Sequence, residues 1–390
     1  MNILIVTAMF PPIQTGTSFY SKNVAEALTA RNHQVTVLTL GDMEHEKAGY
    51  SFDVKRMPAL RFPLKNYFKH LRVSSFFPQN YSKVYRVARD TNADVILLVN
   101  HYLDIVFPAI YAAKRNSIPL VCSVGTQLQS SNPLRNKILN ILDRLICGGL
   151  VFPFCDRIIS WDTQILKYLR DIHGPKITEK CSIINYGVNG DINTFTEHNQ
   201  TYQLHNQIIG VGAVSEQRNF LGIIKAFHLV SSDFPDLRLK IIGHVYYDAA
   251  VKMAAELGIE NRVIFTGELT HAEVLKELAN SDLYYSSLSG KYLGLGTATI
   301  ESMLMGLPTM ANVPLDLLGG SLLLEDMHHI AYVDATSPQQ IAEKIRLLLA
   351  DSKLREKIGQ EGKNFILKHM RWEDVAEKME SLFASLKRNQ

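Results

Sequence analysis

Short strand-like runs alternate with helical patterns along the whole 390-residue sequence. In the first half, apolar β-branched runs at residues 2–7 and 94–99 alternate with helical patterns such as residues 18–31. The alternation starts again at residues 207–211, after a polar segment at 194–206. Because strands that alternate with helices form parallel sheets covered by helices, the sequence predicts two doubly wound, Rossmann-like α/β domains with a cleft between them.

Composition places the chain among globular proteins, with 46% hydrophobic and 20% charged residues. A formal net charge of +3 is too small to indicate a nucleic-acid partner. The four cysteines show neither C-x-x-C nor zinc-site spacing, which favours reduced thiols in the cytoplasm and no bound metal. The N-terminal run reads as a buried strand rather than a signal peptide, and the apolar stretch at 145–155 is too short to span a membrane.

A phosphate-binding pattern lies at residues 294–311. Gly294 and Gly296 precede a helical pattern that begins at Thr297, so the backbone there can approach a ligand closely. The unpaired N–H groups and the positive dipole end of that helix suit an anion. Glu301 follows Thr297 by four residues on the same face, where its carboxylate could accept hydrogen bonds from hydroxyls. Phosphate and hydroxyls together indicate a nucleotide ligand.

Several phrases occur in an order that resembles the GT-B glycosyltransferases of the large retaining family that includes glycogen synthases and bacterial mannosyltransferases (glycosyltransferase group 1). In chain order they are FPPIQTG at 10–16, CDRIIS at 155–160, INYGVN at 184–189, GVG at 210–212, RVIFTG at 262–267, the 294–311 segment and RWED at 371–374. The resemblance implies an acceptor-side domain at residues 1–195, a nucleotide-sugar domain at 205–368 and a C-terminal helix at 369–390 that crosses back to the first domain.

The resemblance also implies roles for individual residues. Glu301 matches the glutamate that binds the ribose hydroxyls, and Arg218 matches the basic residue that clamps the diphosphate. Gly16 matches a glycine of the first-domain loop that faces the phosphate. The remaining expected donor-binding residues, which belong to the matched phrases, are Gly212, Gly294, Gly296, Thr297 and Ala298. An arginine suits the clamp chemically because its planar fork can bind phosphate oxygens bidentately.

The chain departs from the family pattern at several positions. Ala213 stands where a second basic residue is usual, Leu293 replaces a first glutamate, and Thr15 replaces the first glycine of a pair. Gly125 stands where a histidine near the transferred sugar is expected, followed by the candidate polar contacts Thr126 and Gln127. The nearest substitute histidine is His101, for which catalysis and ordinary packing are equally good interpretations.

The first domain also carries a basic and aromatic segment at residues 55–89. Such a segment suits either an anionic membrane surface or an ordinary solvated face with its aromatics in the core. Its basic residues are Arg56, Arg61, Lys65, Lys69, Arg72, Lys83, Arg86 and Arg89.

From these observations the expected protein is a retaining glycosyltransferase that uses a UDP- or GDP-linked sugar. Its acceptor would be a hydroxyl of a glycan or glycolipid in cell-surface polysaccharide or glycolipid synthesis. We expect it in the cytoplasm, free or at the inner face of the membrane, with Arg218, Glu301 and His101 as catalytic residues and no metal. Two alternatives stay open: a nucleotide-sugar epimerase of the same architecture, and a non-catalytic nucleotide- or glycan-binding relative.

Overall fold

A computed structural model describes residues 1–13, 15–41, 49–61, 72–102, 104–130, 132–188, 204–216, 218–288 and 290–387. The chain forms two compact units. The first contains Met1–Gly187 together with Trp372–Gln390, and the second contains Val188–Arg371. Each unit has its own parallel sheet and its own hydrophobic core.

The first unit is built on a seven-stranded sheet in the order β3-β2-β1-β6-β7-β8-β9. All neighbouring strands in it are parallel, and the apolar residues of its central strands are buried on both faces. The strands are β1 (Asn2–Thr7), β2 (Gln34–Leu40), β3 (Asp53–Met57), β6 (Val95–Val99), β7 (Leu120–Val124), β8 (Arg157–Ser160) and β9 (Cys181–Ile183). A separate two-stranded hairpin, which the sequence did not predict, pairs β4 (Leu60–Arg61) with β5 (Arg72–Val73).

Seven α-helices and one 3-10 helix accompany this sheet in the part of the first unit that the structure describes. They are α1 (Gly16–Ala30), α2 (Pro78–Asp90), α3 (Val106–Asn116), α4 (Pro133–Leu150), the 3-10 helix at Phe152–Phe154, α5 (Thr163–His173), α6 (Pro175–Thr178) and α13 (Trp372–Lys387). The C-terminal helix α13 packs on α1 within this unit, where the rings of Trp372 and Tyr20 lie 5.8 Å apart. Burial of Trp372, Val375, Met379 and Phe383 makes α13 part of the first core.

The second unit repeats the arrangement with a six-stranded parallel sheet in the order β12-β11-β10-β13-β14-β15. Its strands are β10 (Gln207–Val211), β11 (Arg238–Ile242), β12 (Val263–Gly267), β13 (Leu283–Tyr285), β14 (Thr309–Ala311) and β15 (Ala331–Tyr332). Its helices are α7 (Phe220–Val230), α8 (Ala249–Glu256), α9 (His271–Ala279), α10 (Thr297–Leu304), α11 (Pro338–Ala350) and α12 (Ser352–His369). In both sheets the strand order changes direction beside the first strand, as in other doubly wound folds.

The predicted α/β architecture is confirmed, and most boundaries fall within a few residues of the expected ones. The α4 helix continues through Gly148 and Gly149 to Leu150, although glycine is unfavourable within a helix. Among the described residues, no helix is both long enough and apolar enough to cross a bilayer.

Candidate functional site

Glycines mark the carboxyl ends of three neighbouring strands in the second unit. Gly212 follows β10, Gly243 follows β11, and Gly267 ends β12. Gly243 has a φ of +142°, and a Cβ there would lie 2.2 Å from the Gly212 carbonyl oxygen, so only glycine fits. The sequence analysis singled out Gly212 but missed Gly243, although a glycine directly after a buried strand was the available signal.

The Arg218 guanidinium lies against Gly212. A Cβ at Gly212 would be 3.0 Å from Nη1 of Arg218, so the missing side chain makes room for this contact. Arg218 is half-buried, and burial lowers the pKa of its guanidinium from the usual value. No carboxylate pairs with it among the residues that the structure describes. A desolvated cation without an acidic partner is suited to bind an external anion.

The start of α10 offers unpaired backbone donors. Gly296 is the N-cap residue and provides no side-chain capping bond, which leaves the amides of Thr297 and Ala298 without a capping side chain. A Cβ at Gly296 would lie 3.1 Å from the Leu288 side chain, so the loop packs tightly at this point. The expected helix start at Thr297 is therefore observed, with Gly294 in the loop that precedes it.

Glu301 contacts a residue that the sequence analysis missed. Its Oε1 lies 2.9 Å from Nε2 of His271, and a hydrogen bond and charge attraction from Glu301 raise the pKa of that imidazole. Thr270 and Glu273 form a capping box that fixes His271 as the first residue of α9. The Thr-x-x-Glu pattern was visible in the sequence, but the proximity to Glu301 depends on how α9 and α10 flank the sheet.

These elements form one continuous set at the carboxyl edge of the second sheet. The backbone of Arg218 forms a β-bridge with Leu288, and Leu288 contacts Gly296 at the start of α10. Arg218 and Glu301 both act electrostatically on the buried hydroxyl of Tyr284, whose pKa is raised to about 12 mainly by burial. The predicted donor residues of the second unit thus lie close together around one helix start.

The first unit has its own helix start, two residues before the expected one at residue 18. Thr15 is the N-cap of α1 and accepts a hydrogen bond from the Ser18 amide, while Gly16 is the first helical residue. Gly16 therefore begins a helix of 15 residues rather than lying in a free loop. A helix of this length has the positive dipole end that the phosphate assignment requires.

Trp161 explains why a glycine occupies the expected histidine position. A Cβ at Gly125 would lie 2.1 Å from the Trp161 ring. Trp161 is fixed in place by a 2.8 Å bond from its Nε1 to Ser123 and by a ring contact at 4.2 Å with Tyr20. Next to it, the Thr126 hydroxyl lies 3.0 Å from the hydroxyl of Tyr102. Gln127 follows directly in the same loop.

We expect Gly125→Ala to destabilise the first unit by about 1–3 kcal/mol, because the new methyl group overlaps the Trp161 ring. The matched control is Gly149→Ala in α4, where a Cβ meets nothing within 4 Å and alanine favours the helix. Both tryptophans, Trp161 and Trp372, belong to the first unit, so denaturation followed by tryptophan fluorescence reports this unit. Equal midpoints for the two variants would contradict the packing explanation.

His101 is fully buried in the first unit, so of the two interpretations that the sequence allowed, the structure shows the packed histidine. Its ring stacks on Phe152 at 5.2 Å, and its Nε2 lies 3.1 Å from the Tyr168 hydroxyl and 3.6 Å from Oδ1 of Asp143. Burial lowers the pKa of His101 despite the opposing effect of Asp143. In this position the imidazole is held by internal partners and is not accessible to a substrate.

Asp143 is the centre of that buried cluster. It accepts a hydrogen bond from the Tyr168 hydroxyl, and its Oδ2 lies 3.4 Å from Nε2 of His173. Burial by itself raises the pKa of Asp143, but the nearby imidazoles of His101 and His173 and the Tyr168 hydroxyl outweigh it and hold the pKa far below its usual range. The carboxylate is therefore an anion at neutral pH.

The same cluster contains the one group of possible metal ligands found among the described residues. Donor atoms of His101, Asp143 and Cys147 all lie within 4.8 Å of one another. Burial raises the pKa of the Cys147 thiol, and its Sγ points to the His101 carbonyl oxygen at 3.6 Å. A protonated thiol and a carboxylate already bonded to Tyr168 fit an internal hydrogen-bonded network better than a loaded metal site.

Asp162 is a further titratable group that the sequence analysis did not single out. It directly follows Trp161 after β8, caps α5 and accepts a 2.7 Å hydrogen bond from the Ile165 amide. Burial raises the pKa of its carboxyl to about 6, although the backbone bonds oppose the shift. The capping pattern Asp-Thr-x-Ile was readable in the sequence, but the degree of burial was not.

The basic and aromatic segment at 55–89 is only partly within the described residues. Phe62, Lys65, Tyr67, Phe68 and Lys69 lie outside them, as does the side chain of Arg61. Arg56, Arg72 and Lys83 donate to the backbone carbonyls of Pro11, Leu40 and Arg56, respectively. These three cations therefore support loop backbone, whereas the ring of Phe76 is 78% exposed rather than in the core, so both interpretations of the segment remain predictions.

Two family models match consecutive parts of the chain. The model described as Glycosyltransferase Family 4 matches residues 15–191, and the model described as Glycosyl transferases group 1 matches residues 191–365. The chain belongs to the group 1 glycosyltransferases. This family was the one that the phrases of the sequence resembled, and the second match includes both Arg218 and Glu301.

This group 1 glycosyltransferase is similar in sequence to curated proteins and in fold to solved structures. It is 22% identical over 258 residues to an uncharacterized glycosyltransferase of Methanocaldococcus jannaschii, a match that spans 64% of that relative, less than two thirds of its length. The structure of HepE of Anabaena in complex with UDP matches 99% of this chain with a TM-score of 0.72 at 17% identity and is itself covered completely. The lipopolysaccharide outer core galactosyltransferase WaaB, in its apo form, matches 99% of this chain and 100% of its own with a TM-score of 0.67 at 13% identity. These structures share the GT-B fold.

Proposed function

We propose that the protein transfers a sugar from a UDP- or GDP-linked donor to a hydroxyl of a glycan or glycolipid, with retention of anomeric configuration. The reaction would take place at the cytoplasmic side of the membrane in cell-surface polysaccharide or glycolipid synthesis. The observation that carries the proposal is Arg218, a half-buried guanidinium that packs against Gly212 and has no carboxylate partner in the described part of the chain.

The second unit provides the contacts for the donor. The Arg218 guanidinium and the amides of Thr297 and Ala298 would bind the diphosphate, and Gly212, Gly294 and Gly296 let the backbone approach it. Glu301 would bind the ribose hydroxyls. His271 holds one oxygen of the Glu301 carboxylate, which leaves the other available to the ligand.

The chemical work in this proposal is stabilisation of the leaving diphosphate. As the bond between the sugar and the diphosphate breaks, negative charge grows on the phosphate oxygens, and pre-oriented donors lower the energy of that state. The acceptor hydroxyl then attacks the same face of the sugar, which retains its configuration. Arg218 and the start of α10 supply the positive potential, so the proposed reaction needs no divalent metal.

The direct test is to incubate the protein with a panel of UDP- and GDP-sugars, with and without EDTA, and to measure the release of nucleoside diphosphate. Slow donor hydrolysis that EDTA does not change is the expected result, together with calorimetric binding of UDP or GDP. Absence of affinity for both diphosphates would refute the assignment. Activity that EDTA abolishes would refute the metal-free reaction and direct attention to His101, Asp143 and Cys147.

The same panel separates the two alternatives. An epimerase would return a nucleotide sugar of changed configuration and needs an acid–base group. His101 is buried, but Asp162, with a pKa raised to about 6, gives this alternative a residue to test. A non-catalytic relative would bind diphosphate and release no product, and the changes at Ala213 and Leu293 are the ones that motivate it.

A further inference from the structure

The α4 helix has its polar and apolar faces reversed relative to an ordinary surface helix. Only Asp143 and Cys147 of its 18 residues are buried. Its inner row is Asn136, Asn140, Asp143 and Cys147, spaced i, i+4, i+7 and i+11. Its outer row has the same spacing, two residues earlier, and consists of Leu134, Ile138, Ile141 and Leu145, all exposed. A helix that packs on a core normally buries such an apolar row.

The exposed apolar surface is extensive. Leu134 is 69% exposed, Leu145 is 63% exposed, and the other members of the set are between 42% and 53% exposed. The complete set on this helix is Leu134, Ile138, Ile141, Leu142, Leu145, Ile146 and Leu150. Elsewhere the exposed large aliphatic residues are scattered, such as Leu229 on α7, Val251 on α8 and Leu347 on α11. A contiguous apolar surface of this kind is a common sign of an interaction site.

The charges on α4 favour one kind of partner. Arg135, Lys137 and Arg144 are exposed beside the apolar row, and the single acidic residue of the helix, Asp143, is buried. The surface is thus apolar and cationic, without an exposed carboxylate on the helix. This combination matches a bilayer with anionic headgroups, into which an amphipathic helix inserts its apolar side while its basic residues contact phosphates.

The buried cluster explains how the reversed helix is held. Asp143 and Cys147 contact His101, Tyr168 and His173, which belong to the β6–α3 connection and to α5. Polar bonds at the inner face take the place of the usual apolar packing. The exposed leucines and isoleucines of α4 are therefore available to contact something outside this chain.

We propose that α4 is a membrane-docking surface that binds anionic lipid bilayers through its outer row and its basic residues. The inference deepens the proposed function, because it places the acceptor hydroxyl on a lipid-linked molecule at the membrane surface. In this respect the inference rests on the proposed function. Bilayer binding itself is independent of catalysis. We call the set Leu134, Ile138, Ile141, Leu142, Leu145, Ile146 and Leu150 the outer face of α4.

The test is cosedimentation of the full chain with two kinds of vesicle, one of phosphatidylcholine and one of equal parts phosphatidylcholine and phosphatidylglycerol. We expect stronger binding to the anionic vesicles. The triple variant Ile138→Ser/Ile141→Ser/Leu145→Ser should weaken that binding at least about tenfold. The variants Arg135→Gln and Lys137→Gln should each weaken it about fivefold on anionic vesicles and have little effect on neutral ones.

The matched control is the triple variant Leu229→Ser/Val251→Ser/Leu347→Ser, which removes the same kind of exposed aliphatic residue from three separate helices of the second unit. It should bind vesicles like the unchanged protein. Equal loss in both triple variants, or no vesicle binding by the unchanged protein, would overturn the proposal. So would a dimer in sedimentation velocity without lipid that the α4 variant dissociates, since the outer face would then contact a second copy.

Donor hydrolysis without vesicles separates this inference from the proposed function. The α4 triple variant should hydrolyse the nucleotide sugar at the unchanged rate. Its three substitutions lie on α4, and α4 contains none of the donor-binding residues. If the unchanged protein binds anionic vesicles but neither binds nor hydrolyses any donor, the proposed function fails while the docking surface stands. If donor hydrolysis is normal and vesicle binding is absent, the docking surface fails alone.

Discussion

Replacing Arg218 with alanine is expected to lower kcat/KM for donor hydrolysis or transfer by about two to three orders of magnitude. The expected loss is the size seen when one pre-oriented donor to a developing negative charge is removed. Arg218 has no carboxylate partner among the described residues, so its charge is available to the diphosphate rather than being neutralised internally. Initial rates with a fixed UDP- or GDP-sugar, together with calorimetric affinity for the diphosphate, measure the effect.

Two further variants make the Arg218 result interpretable. Arg218→Lys should retain intermediate activity, because an ammonium group keeps the charge but loses the planar, bidentate fork. Arg238→Ala removes an exposed arginine from the amino end of β11, at the edge of the sheet away from the candidate site. It should change the rate less than twofold, because an isolated exposed charge contributes little. Melting temperatures without ligand should be similar in all three. An Arg218→Ala protein with unchanged rate and diphosphate affinity would disprove the phosphate assignment.

Replacing Asp143 with alanine is expected to destabilise the first unit by about 3 kcal/mol. The substitution removes the carboxylate that accepts the Tyr168 hydrogen bond and that lies 3.6 and 3.4 Å from the buried imidazoles of His101 and His173. It also removes one of the two buried residues that attach α4 to the unit. Urea denaturation at neutral pH, followed by the fluorescence of Trp161 and Trp372, reports the stability of this unit because both tryptophans lie in it.

The controls distinguish the lost acceptor from a general effect of removing a carboxylate. Asp143→Asn keeps an acceptor oxygen of the same shape and should cost clearly less than alanine. Asp90→Ala removes an exposed aspartate of α2 that pairs with its neighbour Arg89, and it should change stability by less than about 0.5 kcal/mol. Similar midpoints for Asp143→Ala and Asp90→Ala would show that the cluster does not stabilise the unit.

Much of the candidate site was accessible from the sequence because its determinants are local. The glycines at 294 and 296, the helix start at Thr297 and the spacing to Glu301 follow from backbone freedom and helical periodicity within a few residues. His271 and Gly243 were missed for the opposite reason. Their importance comes from contacts with Glu301 and Gly212, each about thirty residues away along the chain.

Gly125 and His101 show that resemblance to a family is not sufficient to identify the residues that contact a ligand. The missing histidine at Gly125 suggested His101 as a replacement, since both follow neighbouring strands. The structure instead fills the space beside Gly125 with Trp161 and encloses His101 between Phe152, Tyr168 and Asp143. Side chains that pack together from distant parts of the chain decide which of these positions can accept a ligand.

The sequence by itself determined the two α/β units, the order of their elements and the nucleotide-binding pattern at the start of α10. Strand and helix periods, turn residues and helix caps act over a few residues, so the linear order of side chains is enough to specify them. Only the tertiary structure decided that α4 turns Asp143 and Cys147 inward and seven of its eight leucines and isoleucines outward. Periodicity shows that a helix has an apolar face, but the direction of that face depends on the partners that the fold places beside the helix. Here those partners are polar groups of His101, Tyr168 and His173.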